Sequence, residues 1–121
     1  MARTILIVDD SASMRQVVAF TLRQAGFAVL EGANGQEALH QLGSQRVDLI
    51  VTDLNMPVMD GITLIRNVRG KPNTRAIPVL MLTTESQDAK KQEGKAAGAT
   101  GWIVKPFHPE KLLQTIARVL P

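Results

Sequence analysis

The feature that most restricts the fold is a series of short apolar runs that do not alternate. Thr4-Ile5-Leu6-Ile7-Val8, Val47 to Thr52 and Val79-Leu80-Met81-Leu82 carry mostly apolar, often β-branched residues at successive positions. Successive strand side chains point to opposite faces, so an unbroken apolar run has to be covered on both. Ala28 to Glu31 and Gly101 to Val104 read as shorter strands. Between these runs lie stretches with helical period. Ser11 to Gln24 offers Val17, Val18, Phe20, Thr21 and Leu22 as an apolar side, with Gly26 ending it. Asn34 to Leu42 turns Ala38, Leu39 and Leu42 inward, and Ile62 to Val68 follows a loop holding Pro57 and Gly61. Glu85 to Ala97 precedes Gly98, and Pro109 to Leu120 starts on a proline suited to a first helical turn. Strands alternating with helices form parallel βαβ units with right-handed crossovers. The expected fold is α/β, a doubly wound five-stranded parallel sheet with five helices distributed over both faces.

Length and composition narrow the function classes. At 121 residues the chain reads as one domain over 1–121. A chain of this size buries about two-thirds of its surface, enough for an ordinary core. With 45% hydrophobic and 21% charged residues it is not a disordered segment. The absence of Cys excludes disulfide scaffolds, thiolate metal sites and Cys nucleophiles, and fits a reducing compartment. Its apolar runs are too short to span a bilayer, and Arg3 followed by a few apolar residues is no secretory leader. A soluble, cytoplasmic protein with no membrane partner is expected. Lys and Arg exceed Asp and Glu by 14 to 11, giving +3, with a pI near 9.7. The basic residues are nevertheless scattered. Their densest group, Lys90, Lys91 and Lys95, reads as solvated helix surface, so no nucleic-acid partner is expected.

Open α/β sheets bind ligands outside the carboxyl ends of their strands. Asp9-Asp10 follow the first strand, Asp53 the third, Thr83-Thr84 the fourth and Lys105-Pro106 the fifth. Parallel strands carry these positions to one edge. Clustered carboxylates repel, and a bound cation relieves the repulsion. Oxygen-only ligation by a few carboxylates suits Mg²⁺ better than Zn²⁺, with water and phosphate oxygens filling its shell. Lys105 adds a charge suited to a phosphoryl group, and Thr83 a hydroxyl donor. Local structural roles stay open for the same residues. Asp9, Asp10 or Ser11 could cap the first helix, Asp53 could cap the Pro57 turn, Lys105 could simply pair with an Asp, and Trp102 could be strand filler.

The strings Ile7-Val8-Asp9-Asp10, Thr52-Asp53-Leu54-Asn55-Met56-Pro57-Val58-Met59-Asp60-Gly61, Leu82-Thr83 and Val104-Lys105-Pro106-Phe107 closely resemble response-regulator receiver domains. The resemblance runs the length of the chain, with the motifs in order. From Thr83-Thr84-Glu85-Ser86 to Gly101-Trp102 the chain is similar to stand-alone chemotaxis regulators of the CheY type. The resemblance implies a flavodoxin-like strand order, 2-1-3-4-5. It implies Asp53 as phosphoacceptor, and Mg²⁺ held by Asp10, Asp53 and the backbone carbonyl of Asn55, with Asp9 acting through a water. Lys105 would pair with the phosphoryl group and Thr83 would move toward it. Trp102 would be the aromatic switch, where many members carry the smaller Tyr or Phe. A cis Lys105–Pro106 peptide is expected on the same ground.

Function follows as an expectation. Such a domain takes a phosphoryl group from a phosphohistidine on a chemotaxis-type histidine kinase. It catalyses its own phosphorylation and dephosphorylation without being an enzyme on a separate substrate. Phosphorylation would then change the surface of the fourth helix, fifth strand and fifth helix. Residues 86–98 carry Ala and charge but no large apolar side chain, which makes that helix a weakly anchored two-state element. With nothing following the last helix, output by protein contact is expected: a flagellar motor switch protein or other protein target, and a phosphatase. The alternative is a phosphate sink or relay without a motor target. A flavodoxin-like FMN site is disfavoured by the acidic first loop.

Overall fold

The computed structural model describes residues 2–84 and 88–120. The strands are β1 (Thr4–Val8), β2 (Ala28–Gly32), β3 (Leu49–Asp53), β4 (Val79–Thr83) and β5 (Gly101–Val104). The helices are α1 (Ala12–Gln24), α2 (Gly35–Leu42), α3 (Gly61–Arg69), α4 (Asp88–Ala97) and α5 (Pro109–Val119). All neighbouring strands pair in parallel, in the order β2-β1-β3-β4-β5. This is the doubly wound sheet expected from the unbroken apolar runs.

The runs are covered on both faces, residue by residue. Leu6, Val8 and Ile50 enter one core with Ala38 of α2 and Leu64, Ile65 and Val68 of α3. Ile5, Ile7, Leu49, Val51, Leu80 and Leu82 enter the other, with Val18, Ala19 and Leu22 of α1 and Leu112 and Ile116 of α5. Each fully buried aliphatic side chain contributes about 1.5–3 kcal/mol relative to exposure. The two cores therefore fix the sheet, and the sheet fixes its carboxyl edge.

Element boundaries differ from expectation in instructive places. Asp53 is the last residue of β3, paired in register with Leu82, rather than the first residue after it. That strand begins at Leu49, because Asp48 uses its carboxylate to accept from the Thr4 backbone N–H at 2.8 Å. Gly32 extends β2 and Thr83 extends β4. Ser11 and Asn34 are N-caps and not first helical residues, and α3 starts at Gly61, one residue before the expected Ile62, behind its Asp60 cap. The expected first residues of α4, 85–87, lie outside the described residues. In α1, Val17 and Phe20 are 54% and 64% exposed, whereas Val18, Ala19 and Leu22 are buried. At about 100° per residue, Phe20 lies opposite Val18, so the two cannot share one buried stripe.

Of the residues of α4, Gly94 alone is buried. A Cβ at Gly94 would lie 2.0 Å from Met81 Sδ, so the helix sits close to the sheet there. Its C-terminal end is tied to α3 by Arg69. Arg69 Nε donates to Gly98 O at 2.9 Å, and its guanidinium also donates to Arg75 O, Ile77 O and Thr100 Oγ1. Burial pushes the Arg69 pKa down. Gly98 has φ +114, and a Cβ there would meet Arg69 Cγ at 2.8 Å. Glycine fits both the backbone conformation and the space.

Candidate functional site

At the carboxyl edge, β1 delivers Asp9 with little freedom. Its N–H donates to Gly32 O at 3.1 Å, and its Oδ1 accepts from Ser11 N at 2.9 Å. Ser11, not either aspartate, caps α1, its hydroxyl accepting from Met14 N at 3.3 Å. Asp9 is 1% exposed, and its Oδ2 is the buried side-chain polar atom with no hydrogen-bond partner among the described residues. Burial raises the Asp9 pKa, and the neighbouring Asp53 and Asp10 charges add to the rise; the Ser11 N–H and Lys105 oppose it. The ionised form of this carboxylate is therefore held where it is poorly solvated.

Asp53 closes β3 beside it. Its Oδ1 accepts both from Leu54 N at 2.9 Å and from Lys105 Nζ at 2.9 Å. Neither donor falls on Oδ2. The Thr52 hydroxyl donates to the Asp53 carbonyl at 2.8 Å. Behind that carbonyl sits Gly61, where a Cβ would approach Asp53 O to 2.2 Å. A side chain at 61 would thus push on the backbone that aims Asp53. The connecting loop is tight: Met59 N donates to Pro57 O at 2.7 Å across Val58, and Gly61 N donates to Leu54 O at 3.0 Å. Val58 has φ 71, a left-handed conformation that costs a β-branched residue about 1–3 kcal/mol. Asp60 starts α3 by accepting from Thr63 N at 2.7 Å.

Asp10 is exposed on the rim. One carboxylate oxygen from each of Asp9, Asp10 and Asp53 lies within 4.8 Å of the others. Asn55 is exposed two residues past Asp53, and no hydrogen bond among the described residues falls on its carbonyl. Thr83, buried at the end of β4, donates to Thr84 O at 3.1 Å, and its own carbonyl accepts from Lys105 N at 2.6 Å. The Lys105–Pro106 peptide is cis, as expected. Trp102 stands on β5, 43% exposed. Lys91 Nζ lies 5.6 Å from its ring centroid and 3.7 Å from Asp88 Oδ1. The side chain of Lys91 is 17% exposed, so it is a packed cation and not the solvated surface charge expected of it.

These donors fit a small divalent cation. They are oxygens only, three carboxylates crowd together, and one buried carboxylate oxygen lacks a partner. Two groups had no signal in the sequence. Arg15 donates to Asp9 O at 2.6 Å and to Glu31 Oε1 at 3.3 Å, joining α1 to β2 across the site. Their spacing of 16 residues belongs to no local motif.

The profile of the response regulator receiver domain matches residues 5–117. The chain belongs to that family. Other receiver-containing proteins align along nearly all of it. The phosphate regulon transcriptional regulatory protein PhoB of Escherichia coli is 38% identical over 120 residues, 99% of this chain but 52% of PhoB. The chain thus spans about half the length of that relative. Chemotaxis protein CheY4 of Vibrio cholerae is 51% identical, with a TM-score of 0.93 over 98% of this chain and 99% of CheY4. The receiver domain of a sensor histidine kinase from Pseudomonas aeruginosa is 30% identical, with a TM-score of 0.90 over 98% and 97% of the two chains. That structure has a magnesium ion coordinated in its active-site cleft. A receiver domain is a signalling module of two-component phosphorelays. No helix among the described residues is long and apolar enough to cross a membrane.

Proposed function

We propose that the chain, read as one receiver domain over 1–121, accepts a phosphoryl group on Asp53 from a phosphohistidine of a chemotaxis-type histidine kinase. The observation that carries this reading is Asp53 itself. Its Oδ1 is held by Lys105 and Leu54 N, its Oδ2 is left to react, and two further carboxylates stand beside it. Asp10, Asp53 and the Asn55 carbonyl would hold Mg²⁺, with Asp9 engaged through water. When bound, Mg²⁺ supplies neutralising charge to the carboxylates and to the phosphoryl oxygens.

Asp53 Oδ2 attacks phosphorus, forming an acyl O–P bond as the histidine N–P bond breaks. The imidazole leaves with the electron pair and takes a proton from water. Lys105 exchanges its contact with Asp53 Oδ1 for one with the added phosphoryl oxygens, which bring about −1.5 to −2 charges. The Thr83 hydroxyl turns from Thr84 O to the same oxygens. Later a water attacks phosphorus, inorganic phosphate leaves, and the Asp53 carboxylate returns. Positioning and charge do this work, and no general base is needed.

The output runs through α4, β5 and α5. Thr83 moving toward the phosphoryl group vacates volume that Trp102 fills, and the altered face docks on a flagellar motor switch protein in the cytoplasm. The likeness to the chemotaxis response regulator CheY4 supports a chemotaxis role. Asp53→Asn is expected to abolish labelling by a small phosphodonor such as acetyl phosphate in Mg²⁺. Stoichiometric labelling of that variant would refute the assignment of Asp53.

A further inference from the structure

The β1–α1 corner carries a cation where helix physics does not favour one. Arg15 lies in the first turns of α1, after the Ser11 cap. A positive charge near a helix N-terminus opposes the macrodipole. Its side chain is nonetheless only 19% exposed and makes two hydrogen bonds. One guanidinium nitrogen donates to Asp9 O at 2.6 Å, and Nε donates to Glu31 Oε1 at 3.3 Å. Glu31 is itself held on both sides. Its other carboxylate oxygen lies 3.7 Å from Arg23, and its backbone carbonyl accepts from Gln41 of α2. Asp9 N bonds to Gly32, the residue after Glu31. The result is a closed frame from α1 through Asp9 to the end of β2.

We infer that Arg15, oriented by Glu31, is a positioning residue that fixes Asp9 so that its unpartnered Oδ2 is presented to a cation. The inference rests on the metal-dependent reading of the site given above. Arg15 anchors the Asp9 backbone through its carbonyl. Ser11 N takes Oδ1, which leaves Oδ2 buried without a partner among the described residues. Glu31 offsets the guanidinium charge, so the frame supplies a strong donor with little added repulsion toward a bound cation.

Two roles for Arg15 predict opposite signs. If it acted only through charge, removing it would tighten Mg²⁺ binding, because a cation leaves the neighbourhood. If it positions Asp9, removing it weakens binding despite the loss of repulsion. Partners behind a metal ligand commonly contribute tenfold or more to affinity. The test is calorimetric Mg²⁺ binding by the full chain and its Arg15→Met, Arg15→Lys and Asp10→Asn variants, with thermal denaturation in the absence of Mg²⁺ to confirm folding. Arg15→Met should bind Mg²⁺ about tenfold more weakly. Arg15→Lys should recover part of the loss, since an ammonium can reach Asp9 O but lacks the planar fork that also engages Glu31. An Arg15→Met affinity equal to or tighter than the parent overturns the inference. Should Arg15→Met fail to fold, Arg15→Lys carries the test, and an unchanged or tighter affinity overturns it equally. A parent that binds no Mg²⁺, or binds it as well in Asp10→Asn, would instead sink the underlying site reading.

Discussion

The two ends of the site's edge are built on different terms. At the β1–α1 corner, Asp9 is held through its N–H, its carbonyl and one carboxylate oxygen, by three different residues. At the α4–β5 corner, a ten-residue helix has only Gly94 buried, and Trp102 stands half in solvent under one lysine. A corner that presents ligands benefits from being over-determined, because misplacement by an ångström costs chemistry. Under the proposed function the other corner would report the chemistry, which needs two arrangements close in free energy, and few anchors keep them close.

Substitutions can break this contrast or sharpen it. The largest effect is expected at Gly61. Alanine there meets the Asp53 carbonyl, backbone that cannot swing aside. Denaturant unfolding should show a loss of about 3 kcal/mol, with weaker phosphorylation of what remains folded. A loss under about 1 kcal/mol would mean the β3–α3 loop yields more easily than its hydrogen bonds imply. Val58→Asn works the other way. Asparagine tolerates the left-handed region, so stability should rise by about 1 kcal/mol; an unchanged midpoint would show that Val58 is not strained.

At the looser corner the effects shrink. Gly94→Ala also creates a close contact, but with the Met81 side chain, which can re-rotate. The gain in helix propensity, about 0.8–1 kcal/mol, offsets much of the clash, and a net loss below about 1 kcal/mol is expected. A loss as large as that of Gly61→Ala would erase the distinction between the corners. Lys91→Met is the smallest change. It removes the cation above the indole, a contribution of about 0.5–1 kcal/mol, and should alter Trp102 emission with little change in unfolding midpoint. Unaltered emission would show that Lys91 does not hold the ring.

What could be read from the chain and what could not divides along physical lines. The strands were legible because Ile5, Leu6, Ile7 and Val8 alternate between two cores, a demand that leaves every position apolar. Asp9, Asp10, Asp53 and Lys105 were legible because parallel strands end on one edge, so position after a run predicts neighbourhood. The face of α1 was not. Val17, Val18, Ala19, Phe20 and Leu22 crowd around the helix, and apolar character alone does not select the stripe of Val18, Ala19 and Leu22. Nor were Arg15 with Glu31 or Lys91 with Trp102, since each contact joins separate elements and leaves no period behind.

Arg69 gives the looser corner a geometry. Its bond to Gly98 O pins one end of α4, a helix in which only Gly94 is buried. A rod fixed at one end behaves as a lever, and displacement along it grows with distance from the fulcrum. The ten residues of α4 make a rod about 15 Å long. A tilt of about 10° at Gly98 would sweep the far end through roughly 2.6 Å while the near end stays in place. A small adjustment beside the sheet is thereby magnified toward the Asp88 end, where a docking partner would feel it as a change of slope rather than of position.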